Sequence, residues 1–478
     1  MKHTRYYTLT SLLLAAAFGT GTGICYPNTY RALEGNDFWA LTADYWHKKL
    51  AMMPAITSWC NDFLYQFYSV PAVGAAIHSV VLLVMALLCG WLMQRLFSGS
   101  RLMLWLGLLP AVVLGYFSTF DLNIMLQVIM LMALLHAYVS VPSSKVRLAL
   151  SLLLLPPSYM LVCMPLLALM VACFMLLEWL RFGTREWRWQ VLCWPVLWLI
   201  PIIYSQQVAF IRFENRYTQI GSYFDALTSD NNKFTERAET YIHLADEGRW
   251  KELLVDAHAR RDAQRGDGMA LRFALLAESE LGTLPDNILD YPIQEENMFF
   301  YPHLREYVPM QLNRLFYLAL GVNDEAFHQA EEYYLQQRNG ICFKSLRQMV
   351  DYSIAEGEWE VADKLMQVLS GSTCHAGFVR ERTAMLQQAR QQPRKEVPLR
   401  ADNLVGGYPF VQEMLRLARY YDNPVQRKKM MDYAICSYLL HGDAQRFGIA
   451  LRAYGIYKDK PLPRAYQRLV DELTANHE

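Results

Sequence analysis

The sequence predicts an all-α protein in two parts, a polytopic transmembrane helical domain followed by a domain of paired-helix repeats. Two observations lead to this fold class: long charge-free stretches in the first 205 residues, and helix breaks spaced in the mid-thirties in the rest. Residues 1–205 hold 12 basic and 7 acidic side chains, whereas the remainder holds 33 and 38. The mildly acidic second part argues against nucleic-acid binding.

Charge-free gaps mark the predicted membrane spans, because a helix of about 20 apolar residues crosses a bilayer core and charged side chains are costly there. The gaps predict about seven spans, near residues 8–25, 72–94, 102–119, 122–141, 146–163, 164–181 and 188–206. Pro156, Pro157 and Pro165 interrupt the stretch 146–181, since proline removes a backbone donor. That stretch therefore either crosses twice or forms one span followed by a re-entrant segment.

Basic residues predict how the spans are threaded, because short loops rich in Lys and Arg stay in the cytoplasm. Four basic groups occur, namely Lys2 and Arg5, Arg95 and Arg101, Lys145 and Arg147, and Arg181, Arg185 and Arg188. With seven spans we expect the N-terminus to be cytoplasmic and the chain after about residue 206 to be extracytoplasmic. The N-terminal apolar stretch is either a cleaved signal peptide or an uncleaved first span, and we expect the span because no A-x-A cleavage site ends the stretch.

The first outer loop, residues 26–70, has helical patterns of its own. Apolar residues recur at intervals of three and four over residues 56–67. A second amphipathic stretch covers residues 38–50, with Asn36 or Asp37 as its cap. Because both stretches are rich in Trp, Tyr and Phe, we expect them to lie in the membrane interface.

Three acidic residues, Glu34, Asp37 and Asp44, accompany these predicted helices. A first span, an outer loop with interfacial helices and acids, about six more spans and an outer domain together resemble the core of GT-C membrane glycosyltransferases. The resemblance implies that one of these acids is the catalytic base or metal-linked group, with a divalent metal and a lipid-linked sugar donor as ligands. The paired Asp-Asp or Asp-Glu of several members is absent. The alternative is that the three acids cap helices or lie in solvent.

Other catalytic and metal-binding motifs are missing. There is no Walker loop, GxSxG, HExxH or GxGxxG, and no Cys/His cluster with zinc-ligand spacing. No resident cofactor is therefore predicted outside the glycosyltransferase alternative. Cys25 and Cys60 share the first outer loop, so they either form a disulfide or remain free thiols.

The second part of the chain is charged and periodic. Glycines mark helix breaks at Gly248, Gly282, Gly321 and Gly357, with spacings of 34, 39 and 36 residues, and Gly442 lies 85 residues further on. A period in the mid-thirties is typical of paired-helix repeats. Residues 207–387 are thus predicted to form helical repeats, 388–409 a linker loop, and 410–478 C-terminal helical hairpins.

One unit of this array resembles the tetratricopeptide repeat. In YSIAEGEWEVADKLMQVL, Gly357, Trp359 and Ala362 match the G-x-aromatic-x-x-A core of that family. The glycine permits a tight turn, the aromatic fills the gap between repeats, and the alanine allows close helix approach. The corresponding turn and packing residues in other units are Gly248, Trp250, Gly321 and Ala326. The Gly282 unit fits poorly, so the array is degenerate.

The FLYQFYSVPAVGA stretch at residues 63–75 and the whole layout resemble an uncharacterised bacterial multi-pass membrane family of unknown function. That resemblance implies an architecture and no activity. We expect a membrane protein that presents its helical repeats at the cell envelope to a protein or peptide partner, in contact with the lipid bilayer. The alternative is the GT-C glycosyltransferase, so whether the protein is an enzyme remains open.

Overall fold

A computed structural model shows an entirely helical architecture in the part of the chain that it describes. The described residues are 2–97, 100–117, 120–185, 187–209, 231–292, 298–299, 301, 306–336, 341–391, 410–421, 423–454, 457 and 461–475. No strand occurs among them, so the all-α prediction is confirmed. Most of the predicted linker, residues 392–409, lies outside the described residues, as does the stretch 210–230.

The chain forms two compact units. The first unit comprises residues 1–233 with two later segments, 341–343 and 371–374, and the second comprises the rest. The helices of the first unit are α1 (Lys2–Cys25), α2 (Pro27–Asn36), α3 (Ala43–Leu50), α4 (Ala55–Tyr65), α5 (Pro71–Leu96), α6 (Arg101–Leu106), α7 (Leu109–Phe117), α8 (Leu122–Ser140), α9 (Ser144–Ser158), α10 (Met164–Leu176), α11 (Trp187–Gln190) and α12 (Cys193–Gln207).

Hydrogen bonds between distant residues define two ends of the first unit. At the first end the bonds join Gln94 Nε2 to Thr4 Oγ1 (3.3 Å), Arg95 Nη1 to Ser140 Oγ (2.8 Å) and Arg147 Nε to Glu178 Oε1 (2.5 Å). At the second end they join Tyr65 Oη to Phe120 O (2.7 Å), Ile56 N to Met160 O (2.9 Å) and Tyr204 Oη to Leu50 O (3.0 Å). The chain therefore passes seven times between the two ends.

Four of these passes use helices that are long and apolar enough to cross a membrane, by length and composition. They are His3–Cys25, Pro71–Leu96, Leu122–Ser140 and Met164–Arg181. The apolar stretch Arg101–Phe117 is shorter, and α9 and α12 have 15 residues each. The structure thus supports a membrane protein, while the count of seven membrane spans stays a prediction.

The proline-containing stretch returns to the end from which it starts. Helix α9 includes Pro156 and Pro157 in its last turn and ends at Ser158, and α10 begins at Met164. The connection between the two helices lies at the second end, because Met160 accepts the bond from the first outer loop. The segment therefore runs along the unit and back, as the flanking basic groups predict.

A buried polar cluster closes the first end. The Arg147 guanidinium forms two hydrogen bonds to Glu178, at 2.5 and 3.0 Å, and both side chains are almost fully buried. The Tyr138 hydroxyl and the Thr184 hydroxyl also donate to Glu178, and Gln190 donates to Tyr138. The cluster thereby joins α8, α9 and α11 to the helical turn that follows α10. A buried ion pair needs such additional partners, because its desolvation cost is otherwise not recovered.

The second unit is a succession of helices joined mostly by short connections. Its helices are α13 (Asn231–Asp246), α14 (Trp250–Val255), α15 (Ala259–Gln264), α16 (Gly268–Glu280), α17 (Leu284–Asn287), α18 (Tyr307–Ala319), α19 (Asn323–Gln336), α20 (Phe343–Glu356), α21 (Trp359–Ser370), α22 (Ala376–Ala389), α23 (Phe410–Tyr420), α24 (Pro424–Leu440), α25 (Ala444–Tyr454) and α26 (Arg464–Ala475).

The five connections that the sequence marks by a glycine share one turn. Gly248, Gly282, Gly321, Gly357 and Gly442 all have positive φ, between 67° and 79°. In each case the residue after the glycine donates its N–H to the carbonyl five positions earlier, at 2.8 to 3.0 Å. This is the hydrogen bond of a Schellman motif, which ends a helix and reverses the chain. The sequence-marked glycines therefore lie at turns between successive helices, including Gly282, whose unit fits the repeat pattern poorly and which is followed by a helix of only four residues.

The packing residues of the predicted repeats lie beside these turns. Ala326 and Ala362 are fully buried, and Trp250 and Trp359 are half-buried at the start of α14 and α21. A buried alanine allows neighbouring helices to approach closely, whereas a half-buried tryptophan covers an edge of the core. These positions suit helical hairpins in general, and the assignment to tetratricopeptide repeats stays a prediction.

A partly buried network of charges connects helices of the second unit. Tyr307 Oη donates to Glu239 Oε2 at 3.0 Å, and Lys344 Nζ lies 3.3 Å from the same hydroxyl. Arg314 contacts Asp246 at 2.5 Å, and Lys344 lies 3.7 Å from Asp246. Burial raises the pKa of Glu239 to about 7, and the charge of Lys344 only partly opposes this shift. Glu239 is therefore the group whose charge state is most sensitive to pH in the neutral range within this network.

Replacing Gly442 with alanine should destabilise the second unit by about 1 kcal/mol. Nothing lies within 4 Å of the added Cβ, so the cost comes from a φ of 67° alone. Gly377→Ala is the matched control, because Gly377 also has open space but lies within α22. The measurement is denaturant unfolding of the purified full chain in detergent. Equal stability of the two variants would contradict the role of the turn.

Glu239→Gln should flatten the pH dependence of stability between pH 4.5 and 7. The folded state keeps the Glu239 proton up to about pH 7, whereas an unfolded glutamate releases it near 4.5. The native protein thus loses stability as pH rises through this window, by up to about 3 kcal/mol. The variant should recover that loss at pH 8 in thermal unfolding of the full chain. Glu360→Gln, at an exposed position, should leave the profile unchanged.

Candidate functional site

The first outer loop contains three helices rather than two. Helix α2 follows α1 directly, with Pro27 at its first position. The predicted helix over residues 38–50 is wrong at its start, because α3 begins at Ala43 and Thr42 is its cap. Thr42 Oγ1 accepts from Tyr45 N at 3.3 Å, which satisfies a free backbone donor of the first turn. Residues 37–41 connect α2 to α3 in a non-helical conformation.

The three predicted acidic residues occupy different environments. Glu34 and Asp37 are half-buried and lie one turn apart at the end of α2, where Asp37 N donates to Glu34 O at 3.4 Å. Asp44 is exposed in the first turn of α3. Among the described residues, no three His, Cys, Asp or Glu side chains form a group that could hold a metal. The structure therefore brings two of the three candidates together.

A buried ion pair, which sequence reasoning missed, lies beside these residues. Lys49 on α3 contacts Asp62 on α4, and each side chain is at most 2% exposed. The Tyr45 hydroxyl contacts the same carboxylate and lies 2.8 Å from the carbonyl of Phe38. We call Tyr45, Lys49 and Asp62 the loop triad. Tyr45 and Lys49 are four residues apart, so they project from one face of α3 towards α4.

Neighbouring polar groups complete the loop triad. Asn61 Nδ2 donates to Asp62 Oδ1 at 3.3 Å, and Lys49 Nζ donates to Ser58 Oγ at 3.2 Å. Burial raises the pKa of Asp62, and the charge of Lys49 opposes this effect. Burial also raises the pKa of Tyr45 well above its usual value, and the negative charge of Asp62 adds to the shift. The tyrosine is therefore a proton donor to the carboxylate, and its proton is held firmly.

Asp37 links the predicted acids to the loop triad. Its negative charge also raises the pKa of Tyr45, after burial and Asp62. The group of Asp37, Tyr45, Lys49 and Asp62 thus has the residue types of acid–base chemistry in a setting shielded from water. The same group joins α3 to α4, which is the ordinary role of a satisfied buried ion pair. Only the distribution of charges along the loop could have indicated it, and that pattern does not show which residues meet.

Four aromatic side chains lie on the outer side of the loop, and we call them the aromatic ladder. They are Trp46, Trp59, Phe63 and Phe67, and Trp39, which is only 4% exposed, packs behind Trp59 and Phe63. The ring centroids of the ladder lie 5.5 to 6.3 Å apart in a continuous chain of contacts, and Trp59 stacks on Phe63. Such spacing is favourable for aromatic pairs beyond the area that they bury. The ladder gives the loop a rigid apolar surface.

The two cysteines associated with this loop are free thiols. Cys25 is exposed at the end of α1, and Cys60 is half-buried on α4. Of the two alternatives that the sequence leaves open, the structure contains the unpaired one. The fold of the loop therefore depends on the loop triad and on packing rather than on a covalent bond.

Comparison with known proteins gives a family and no activity. No curated protein and no solved structure matches the chain. A model of a family of unknown function, DUF6057, matches residues 2–470, which is nearly the whole sequence. This match agrees with the resemblance to an uncharacterised family noted for residues 63–75 and for the overall layout. The chain belongs to this family of unknown function, DUF6057.

Proposed function

We propose that the protein is an integral membrane protein that binds a protein or peptide partner through the helical hairpins of its second unit. The observation that supports the proposal is the shared turn at five glycines, which joins successive helices of the unit in the same way. Successive hairpins form extended surfaces, and such surfaces commonly bind other chains. This argument rests on architecture, so it names a class of partner and not an individual one.

The proposal includes a sidedness. The basic residues of the short loops fall at the first end of the first unit, where Arg95 and Arg147 form their hydrogen bonds. The first outer loop with its acids lies at the second end, with Tyr204 near the end of α12. The bias of Lys and Arg towards the cytoplasm favours a cytoplasmic first end. The second end, and the second unit after it, would then be extracytoplasmic in a bacterial inner membrane.

A membrane-impermeant maleimide tests this sidedness in intact cells. Cys25 ends α1 at the second end and is exposed, and Cys374, in a segment of the first unit, is also exposed. Both should be labelled without permeabilisation, and Cys25→Ser and Cys374→Ser should each remove one label. Cys436 is buried and should react only after denaturation. Labelling of Cys25 and Cys374 only after permeabilisation would reverse the orientation.

Photo-crosslinking tests the partner. A photoreactive amino acid would replace Leu335 or Val425, apolar side chains of the second unit that are 71% and 62% exposed. We expect a discrete protein adduct from at least one of these positions in cells that express the full chain. Leu153 is the matched control, because it is equally exposed but lies on an apolar helix of the first unit. The proposal would be contradicted if all three positions gave the same set of adducts, or if neither position of the second unit gave an adduct.

A glycosyltransferase of the GT-C type is the second candidate. The observation that favours it is the position of Glu34 and Asp37 beside the loop triad, in the first outer loop. There a carboxylate would act as a base, or hold a divalent metal, at a lipid-linked sugar. Single replacements Glu34→Gln, Asp37→Asn and Asp44→Asn provide the test. If the function of the protein in cells survives all three while the chain remains folded, the enzyme reading fails.

A further inference from the structure

Helix α4 has its polar side inside and its apolar side outside. Thr57, Asn61 and Asp62 are buried, and Asp62 is only 1% exposed. On the opposite side Phe63 is 36% exposed, and Phe67, just beyond the helix, is 39% exposed. A helix that faces water shows the reverse distribution, because exposed aromatic surface is costly in water and favourable in an apolar medium.

The second unit supplies a helix with the ordinary distribution. Helix α21 buries Ala362, Met366 and Leu369, and it exposes Asp363 and Lys364. The contrast lies within one chain, so it does not come from overall composition. The surroundings of α4 therefore differ from those of α21. Apolar side chains on the outer side of α4 are what contact with lipid would favour.

The inverted orientation of α4 is fixed by its polar contacts. Asp62 contacts Lys49 on α3, and Thr57 Oγ1 donates to Leu161 O at 3.1 Å in the connection between α9 and α10. The backbone N–H of Ile56 bonds to Met160 in the same connection. Rotating α4 to bury its rings would expose Asp62 and leave Lys49 on α3 buried without its partner, which is costly. The aromatic side is thus held outward by the loop triad.

The outward surface continues into a membrane-crossing helix. Phe67 is followed by Val70 and Val73, which are 53% and 41% exposed, and the outward positions Val80 and Val84 of α5 are exposed as well. Helix α5 is one of the four helices long enough to cross a membrane. One apolar surface therefore extends from the aromatic ladder onto the lipid-facing side of a predicted span. The medium that contacts the exposed side of α5 therefore also contacts the aromatic ladder.

We infer that the aromatic ladder is a lipid-binding surface and that α4 lies along the bilayer boundary, with its rings among the headgroups and upper acyl chains. Tryptophan and phenylalanine suit this depth, since they combine large apolar area with tolerance of a polar boundary. The inference is independent of the partner of the second unit. It assigns the first outer loop a role in setting the depth of the protein in the membrane.

Tryptophan quenching by brominated lipid tests the inference on the full chain. The protein would be reconstituted in phosphatidylcholine vesicles, either plain or brominated at acyl carbons 6,7 or 11,12. The fluorescence of the native protein minus that of Trp46→Phe, or minus that of Trp59→Phe, gives the signal of the replaced tryptophan. We expect this difference signal to fall at least twofold with the 6,7-brominated lipid and less with the 11,12-brominated one. Trp359→Phe is the control, and its difference signal should be unchanged by either lipid.

Each other outcome would overturn the inference. Quenching of Trp46 and Trp59 by aqueous acrylamide but not by brominated lipid would place the ladder in water. Quenching by neither agent would mean that protein covers it, such as a second copy of the chain. Phe63→Trp provides a gain-of-signal check if the loss variants fold poorly, because it adds a ring at an exposed ladder position. Far-ultraviolet circular dichroism would confirm that each variant keeps its helices.

Discussion

The first unit depends on matching charges that are removed from water. Among its described residues two ion pairs are buried, Lys49 with Asp62 at the second end and Arg147 with Glu178 at the first. Each pair joins segments that are far apart or separated by a turn, and each is surrounded by hydroxyl or amide partners. An unpaired charge at either place would be costly, so the pairs allow few alternative arrangements of the connections. The apolar helices between the two pairs contribute buried apolar area, and the ion pairs fix which segments lie next to each other.

The ion pair of the first outer loop has consequences on both of its sides. Inward, it gathers Tyr45 and the charge of Asp37 into a shielded polar group. Outward, it fixes α4 so that the aromatic ladder faces away from the unit. A lipid-binding role and an acid–base role are thus compatible in the same loop, because a loop at the bilayer boundary would hold its carboxylates near lipid headgroups. Lipid contact depends on the aromatic rings, whereas glycosyl transfer would depend on the carboxylates. Either role can therefore be disproved without affecting the other.

The second unit follows a different rule. Its hairpins are specified locally by a glycine in the left-handed region and a Schellman hydrogen bond, repeated at five turns. Between the turns, partly buried polar networks such as that of Glu239, Asp246 and Arg314 join helices that are distant in sequence. Local turns tolerate drift in the rest of the repeat, which explains why Gly282 forms the same turn although its unit fits the repeat pattern poorly. A degenerate sequence array is therefore compatible with the same turn at each of these five positions.

The sequence by itself determined the all-α class, the apolar first part and the hairpin glycines, because hydrophobic periodicity and positive-φ glycines act over a few residues. It also identified the aromatic residues of the first outer loop. Only the tertiary structure decided that Lys49 meets Asp62, that Arg147 meets Glu178, and that the aromatic side of α4 faces outward. These pairings join residues 13 and 31 positions apart. No local pattern links such positions, since the choice depends on which buried charge has no other partner once the helices are packed.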